Sequence, residues 1–307
     1  MKLLRLLVVL TVFISVSFAQ TSTASFTGFL ADPDGSAVPD AEISLTDEKT
    51  GVQRTTTTNN SGHFALVQLP PSSYALEIKH PGFATMQAKG LTLQVGQETS
   101  RNFTMTVESA QTTVQVEANS GPLETASAAI GGNVASREIQ ELPINGRQVS
   151  QLYLLVPGAT NTGSGTFGDI HFSGRAVEQN IIRLDGIEST SIIDTTPGNL
   201  NGELGSLFRL QQSLEAIQEF RIDSSSYPAE MGTGTGGQIS FITRSGGNNF
   251  HGSAFEYVRN DFFDARNTFN RRATAANPVA GNPKFRLNQF GGSFGGPILK
   301  DKLFVFA

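Results

Sequence analysis

Residues 214–259 constrain the fold most, because this stretch contains three short runs with the residue patterns of β-strands, separated by turn-forming residues. A period of two places successive side chains on opposite faces of an extended strand. Residues 219–223 read as a strand, and residues 238–244 have nearly all of their bulk in apolar side chains, as in a buried strand. Residues 250–259 alternate aromatic with small or polar side chains and end in charge, which is typical of a barrel strand. The sequence predicts three strands here, preceded by a short helical piece at residues 214–217.

Four short motifs follow one another through this stretch. They are LEAIQEF at 214–220, YPAE at 227–230, GGQI at 236–239 and TRSG at 243–246. In this order they resemble the end of the plug and the first barrel strand of TonB-dependent outer-membrane receptors of the Oar-like branch. The broader receptor family usually carries Arg-Gly-Pro after the first of these strands, whereas this chain has Ile222-Asp223-Ser224. The Oar-like branch is therefore favoured over the siderophore receptors, whose ligands are not transferred to this chain.

Residues 123–247 have a mixed α/β texture, and the resemblance to a receptor plug continues through them. Its earlier motifs are ELPINGR at 141–147, Gly174-Arg175, Asn180 and LDGI at 184–187. The pattern predicts a short amphipathic helix and two strands, at residues 147–156, 171–172 and 181–184. Arg175 and Asp185 also fit a solvated pair or turn residues, so neither is assigned a ligand role.

The first twenty residues carry the pattern of a secretory signal peptide. Lys2 and Arg5 form a positive n-region, residues 6–16 an apolar h-region, and residues 17–19 a small-x-small cleavage site. The alternative, a membrane-spanning anchor, needs about 20 apolar residues, and this run is shorter. We therefore expect export and removal of residues 1–19, and the lack of a Cys after the h-region excludes a lipoprotein.

Residues 24–107 alternate as the strands of a β-sandwich do, with turn-forming residues such as those at 32–35 between the runs. Seven or so short strands in about 85 residues predict an Ig-like sandwich. The motifs TG at 27–28, VPDA at 38–41, SGHF at 61–64 and GF at 82–83 resemble the carboxypeptidase regulatory-like domain. That resemblance implies a non-catalytic module, which commonly precedes the plug in Oar-like receptors. Asp32 and Asp34 resemble a calcium loop faintly, but the remaining ligand positions are missing and a turn is favoured.

The polar linker at residues 108–122 holds one alternating run. Two interpretations stay open for it: the last strand of the sandwich, or a TonB box, the short extended segment that precedes the plug in this family. A TonB box would pair with an edge of TonB by β-augmentation, in which main-chain hydrogen bonds supply the affinity. The residues of this run are Thr112, Thr113, Val114, Gln115, Val116, Glu117 and Ala118.

Residues 248–307 look like the start of an outer-membrane β-barrel. After the first strand, a long polar segment rich in Asn and Arg predicts an extracellular loop. Further strands are expected at residues 285–294 and 303–306, with a turn built from residues 295–297 and 300–302. Transporters with a plugged lumen have about 22 strands of roughly 9–11 residues each. The sequence therefore predicts a truncated N-terminal part of a receptor, mainly β, with a sandwich, a mixed α/β plug and the first barrel strands.

Composition and motif context exclude several function classes. The formal charge of −5 argues against nucleic acid, whose phosphates require clustered Lys and Arg. The chain has no Cys, so disulfides and thiolate metal sites are not available, and its four histidines are widely separated. Glycine-rich matches at residues 232–237 and 291–295 lack the strand–helix context of a dinucleotide site or a nucleophile elbow. We predict no enzymatic activity, no metal and no cofactor.

The resemblance implies a transport function. It implies uptake of a substrate across an outer membrane by displacement of a plug that fills a barrel lumen, with energy supplied by TonB on the periplasmic side. The implied partners are TonB, outer-membrane lipid and a transported substrate whose identity and binding residues are unknown. The alternative is a secreted or surface adhesion protein that keeps the sandwich and a relic of the plug. Alternating strands encoded beyond Ala307 would favour the receptor.

Overall fold

The computed structural model describes residues 23–107, 113–115, 128–144, 147–163, 170–190, 213–265 and 284–307. The predicted signal peptide, most of the linker and most of the predicted extracellular loop lie outside these residues. The chain divides into two compact units, Met1–Arg244 and Ser245–Ala307. Among the described residues, no helix combines the length and apolar character that a membrane crossing requires.

The first unit begins with two β-sheets that pack as a sandwich. Their strands are β1 (Ala24–Ala31), β2 (Glu42–Asp47), β3 (Gln53–Thr57), β4 (His63–Leu69), β5 (Ser72–Lys79), β6 (Thr85–Leu93), β7 (Glu98–Ser100), β8 (Phe103–Thr104) and β9 (Thr113–Gln115). One sheet has the order β3-β2-β5-β6-β9, and the other contains β4-β1-β7 with β8 also paired to β1. The predicted sandwich architecture is confirmed.

The sandwich core forms because alternate residues point inward from both sheets. On β5, Tyr74, Leu76 and Ile78 are all buried. The Tyr74 hydroxyl donates a hydrogen bond to the Pro70 carbonyl oxygen at 2.7 Å, so the polar end of this buried ring is satisfied. Burying one such large side chain contributes roughly 1.5–3 kcal/mol, and the core therefore holds the two sheets together.

The first turn of the sandwich is organised by Asp32. Its Oδ1 accepts hydrogen bonds from the N–H of Asp34 at 3.0 Å and of Ser36 at 2.8 Å. Gly35 has a φ of 84°, a left-handed conformation that glycine adopts without steric cost. The predicted turn is confirmed. The Asp32 carboxylate, which made this segment resemble a calcium loop, accepts hydrogen bonds from the backbone of the turn instead.

A second region of the first unit contains a mixed sheet. The elements of this region are β10 (Ile130–Val134), α1 (Ser136–Glu141), β11 (Ala159–Asn161), β12 (Ile170–Phe172), β13 (Ile181–Leu184), β14 (Ile187–Glu188), β15 (Ile217–Ser225) and β16 (Gln238–Thr243). Five of these strands form the mixed sheet, in the order β10-β15-β16-β13-β14, and β13 and β16 are its one parallel pair, while β11 and β12 pair separately. On one face, the rings of Phe220 and Phe241 lie 5.1 Å apart, and Tyr153 packs against both. This aromatic cluster forms a core separate from that of the sandwich.

The helix predicted at residues 147–156 is a 3-10 helix, Val149–Leu155, rather than an α-helix. The predicted apolar face is confirmed, because Val149, Leu152 and Val156 are all buried. The sequence predicted a short helix without specifying its type, and the 3-10 form has a physical reason. A segment of this length, followed by Pro157, forms too few i→i+4 hydrogen bonds to offset the cost of helix nucleation, and short pieces favour the tighter 3-10 geometry.

The second unit is an antiparallel meander of β17 (His251–Asn260), β18 (Arg286–Leu299) and β19 (Leu303–Phe306). The prediction of a turn that includes residues 295–297 is wrong, because β18 continues through them and the turn is confined to residues 300–302. A Cβ on Gly296 would lie 2.2 Å from the Phe250 ring, so this glycine makes room for an aromatic side chain within a strand. Pro297 lies beyond the last residue paired with β17, so its missing N–H costs no bond to that strand.

Candidate functional site

The segment predicted as a TonB box contributes an edge strand. Its middle residues form β9, which pairs in parallel with residues 85–87 of β6, while residues 112 and 116–118 lie outside the described residues. The backbone is therefore extended, as β-augmentation requires. This placement fits the sandwich-strand interpretation and the TonB-box interpretation alike, so the TonB-binding role stays a prediction.

The mixed sheet has a polar face that is buried. Because side chains alternate between the two faces of a strand, every second residue of β13, β15 and β16 lies opposite the aromatic core. These residues, termed the polar face below, are Arg183, Glu219, Arg221, Asp223, Gln238 and Ser240. Arg221 is only 4% exposed and Asp223 only 2%. Charged residues are seldom buried to this degree unless they are paired, so the contacts of the polar face define the candidate site.

The turn between β6 and β7 of the sandwich lies on the polar face. The Val95 N–H donates a hydrogen bond to Glu219 Oε1 at 2.6 Å. Gly96 has a φ of +63°, and a Cβ on it would lie 2.9 Å from Arg221 Cδ. Glycine is therefore needed at the point where the turn approaches the arginine. The sandwich is joined to the mixed sheet through buried polar groups rather than through an apolar patch.

Glu219 is the titratable group at the centre of this contact. Burial raises the pKa of its carboxyl to about 7, while the Val95 N–H and the charge of Lys49 act in the opposite direction. A raised pKa means that the folded protein favours the neutral acid. The carboxyl therefore changes charge near neutral pH at the place where the sandwich meets the sheet.

Arg221 and Asp223 form a buried ion pair on β15. Arg221 Nε donates to Asp223 Oδ1 at 2.8 Å and to Oδ2 at 3.0 Å. Arg221 Nη1 also donates to Asn133 Oδ1 on β10 at 3.3 Å. Removing one partner of such a pair costs roughly 3–5 kcal/mol, because the other charge is left buried. The pair therefore fixes the position of the Arg221 guanidinium on the polar face.

Arg175 and Asp185, which belong to the plug motifs, make structural contacts and are not brought together. Asp185 follows β13, and its carboxylate accepts hydrogen bonds from the Thr243 N–H at 2.9 Å and from Thr243 Oγ1 at 2.8 Å. Arg175 Nη1 donates to the Ser224 carbonyl oxygen at 3.3 Å. Asp185 is a turn residue with a φ of 49°, which agrees with the turn interpretation.

Neither glycine-rich match forms a catalytic element. Residues 232–237 lead into β16, and a Cβ on Gly237 would lie 2.3 Å from Phe172 Cδ2, so Gly237 allows close packing. Ser293 lies within β18, and its Oγ is 2.8 Å from Ser253 Oγ. In the part of the chain that the structure describes, His, Asp and Glu side chains do not gather in groups of three or more that could hold a metal ion.

The meander of the second unit carries large apolar side chains on both of its faces. Phe290 and Phe294 share one face with Glu256, and Phe290 is 78% exposed. The other face carries the hydrogen-bonded serines Ser253 and Ser293. Phe255 and Tyr257 lie on this face as well, with ring centroids 5.7 Å apart, so aromatic side chains stand on both faces of the meander.

Comparison with known proteins bears on both units. Residues 25–106 match the family described as carboxypeptidase regulatory-like domain, and residues 242–307 match the family described as outer membrane beta barrel domain. Over 304 residues, which are 95% of this chain, the sequence is 28% identical to the TonB-dependent transporter Oar of Myxococcus xanthus. The chain spans 27% of the length of that relative.

Solved structures with partial similarity include two receptors. The siderophore receptor PirA of Acinetobacter baumannii is 22% identical with a TM-score of 0.40, covering 56% of this chain and 23% of that protein. The ferric enterobactin receptor of Pseudomonas aeruginosa is 19% identical with a TM-score of 0.40, covering 57% of this chain and 24% of that protein. At these TM-scores the likeness supports no conclusion about ligands.

Proposed function

We propose, from the premise that this chain is a homologue of the Oar-type TonB-dependent transporters located at the outer membrane, that it is the N-terminal part of a receptor that takes up a substrate. Uptake proceeds by displacement of the plug within a β-barrel, driven by TonB. The resemblance recognised in the sequence is confirmed by this homology. Nothing in the described residues specifically favours the adhesion alternative.

The observation that carries the proposal is the succession of a mixed sheet and a barrel-like meander along the chain. β16 ends at Thr243 and β17 begins at His251, and the meander lies within residues 242–307, which match the outer membrane beta barrel domain family. A receptor needs this order, because the plug must be tethered to the barrel whose lumen it closes. We assign the sandwich, linker, plug and start of the barrel to residues 24–107, 108–122, 123–247 and 248–307, after a signal peptide at residues 1–19.

We further propose that residues 112–118 are the TonB box. The pairing of β9 with β6 covers three residues, and each net backbone hydrogen bond contributes roughly 1 kcal/mol. The segment can therefore leave the sandwich edge at a small energetic cost. TonB would then pair with the same backbone groups by β-augmentation, so the sandwich and TonB compete for this segment.

Site-directed cross-linking tests the TonB box, because the chain contains no Cys of its own. Gln115→Cys places a thiol in the proposed box, and Thr92→Cys places one on the exposed surface of β6 as a control. With a single Cys in the strand-pairing segment of TonB from the same organism, we expect disulfide formation at position 115 and several-fold less at position 92. Absent cross-linking at position 115, or equal cross-linking at both positions, would overturn the assignment.

A further inference from the structure

We propose that the cavity between the sandwich and the polar face binds a small organic carboxylate, which Arg183 and Ser240 contact directly. The cavity has a volume of about 420 Å³, within the range of small-molecule sites. Arg183, Arg221 and Ser240 line it from the sheet, and Gln97 and Glu98 are among the residues that line it from the sandwich. This inference does not depend on the uptake function or on the TonB box.

The three lining residues of the sheet form one row across adjacent strands. Ser240 on β16 is the register partner of Arg183 on β13 and also of Arg221 on β15. Side chains in such a row point to the same face, and neighbours lie about 4.5–5.5 Å apart at Cβ. Ser240 therefore lies between two arginine residues, and all three line the cavity.

The Ser240 hydroxyl is buried without a partner. Ser240 is 3% exposed, and its Oγ has no hydrogen-bond partner in the described part of the chain. Buried hydroxyl groups are nearly always hydrogen-bonded, because leaving one unsatisfied is unfavourable. A hydroxyl of a residue that lines a cavity between two arginines, and that lacks a partner, is suited to donate a hydrogen bond to a bound anion.

The two arginines of the row differ in how their charges are balanced. Arg221 is paired with Asp223 at 2.8 Å. Arg183 donates to neutral acceptors instead, namely Gln238 Oε1 at 2.7 Å and the Met231 carbonyl oxygen. Among the described residues, no carboxylate lies within ion-pair distance of Arg183.

The environment of Arg183 favours an added negative charge. Burial lowers the pKa of Arg183, and the charge of Glu188 opposes this effect without forming an ion pair. A half-buried cation gains from an anion at contact distance, because the low local dielectric strengthens their attraction. Glu98 brings a negative charge to the cavity, but it is exposed, and water and salt screen it.

The geometry selects a carboxylate. A guanidinium presents parallel N–H groups that match the two oxygens of a carboxylate, and a neighbouring hydroxyl adds a third donor. Phosphate shares part of this chemistry, but its second negative charge would require more compensation than one unpaired arginine offers. The ligand class is therefore a monocarboxylate or a short dicarboxylate with a compact body.

Calorimetric titration of the full chain in detergent tests the site, with acetate, benzoate, succinate and inorganic phosphate as probes. We expect at least one carboxylate to bind, and Arg183→Gln to weaken it by about 10- to 100-fold, the usual effect of losing a charged hydrogen bond. Ser240→Ala should weaken binding by about 3- to 10-fold. Arg54→Gln, on the exposed surface of β3 away from the cavity, should leave the affinity unchanged.

Ser240→Ala also shows whether a loss of binding is caused by misfolding of the variant. Because it removes an unsatisfied buried hydroxyl, its thermal midpoint without ligand should equal or exceed that of the unmodified chain, while its affinity falls. A purely structural role for Ser240 would instead lower the midpoint. The proposal is overturned if no carboxylate binds at millimolar concentration, if phosphate binds and carboxylates do not, or if Arg183→Gln and Ser240→Ala leave the affinity unchanged.

Discussion

The first unit buries charged side chains, whereas the second unit exposes large apolar ones. Arg221 on the polar face is 4% exposed, while Phe290 on β18 is 78% exposed. Water favours the opposite distribution, since unpaired charges are costly to bury and apolar surface gains from burial. In the first unit the cost of burying Arg221 is offset within the protein, because Asp223 forms an ion pair with it. The difference indicates that the first unit is stable by its own contacts, whereas the second is suited to an apolar surrounding such as lipid.

Separating the two regions gives the largest expected effect. Residues 24–107 produced alone should be a soluble monomer that unfolds cooperatively, because their core is complete without the rest of the chain. Residues 245–307 produced alone should not fold in water, because a three-stranded meander leaves unpaired edges and exposed large apolar side chains. Amide NMR spectra should be well dispersed for the first fragment and collapsed for the second. A collapsed spectrum for residues 24–107 would refute the comparison.

Matched phenylalanine truncations sharpen the same contrast. Phe26 is fully buried, and its ring lies 5.5 Å from that of Phe64. Phe26→Ala should lower the free energy of unfolding of the sandwich by about 3–5 kcal/mol, because it leaves a cavity. Phe290→Ala should change the stability of the chain in water by no more than about 0.5 kcal/mol. Urea unfolding of both variants provides the measurement, and similar losses would show that the second unit has a core of its own.

Alternation along the chain predicted most strands, including β15, β16 and β17, because a period of two can be recognised without tertiary information. It could not identify the polar face as buried. Alternation separates the two sides of a strand but does not say what covers the polar side. The contact between Val95 and Glu219 joins residues 124 positions apart, and no local pattern records such a pair.

The full length of β18 could not be predicted from the sequence, because the strand contains glycine and proline residues. Glycine and proline usually indicate turns, so the sequence predicts a turn that includes residues 295–297. The aromatic ring that lies against Gly296 belongs to Phe250, on a neighbouring part of the meander. The sequence therefore predicted the presence of this strand but not its length.

The pH dependence of the first unit gives a smaller effect. Because the pKa of Glu219 is raised from about 4.5 to about 7 in the folded protein, the folded state holds a proton that the unfolded state has lost between these values. Stability should therefore fall by up to about 3 kcal/mol as pH rises from 4.5 to 7, and then level off. Glu219→Gln should flatten this part of the profile, whereas Glu98→Gln, at an exposed position, should not. Parallel profiles for the unmodified chain and Glu219→Gln would contradict the assignment.

The central claim is that the face of the second unit that carries Phe290 and Phe294 meets outer-membrane lipid. Spin labels at Phe290→Cys and Gln289→Cys, on opposite faces of β18, test it in outer-membrane vesicles from cells that produce the protein from its own gene. Collision with oxygen, which concentrates in lipid, should dominate at position 290, and collision with a water-soluble nickel chelate should dominate at position 289. Equal access of the nickel chelate to both positions would contradict a barrel wall.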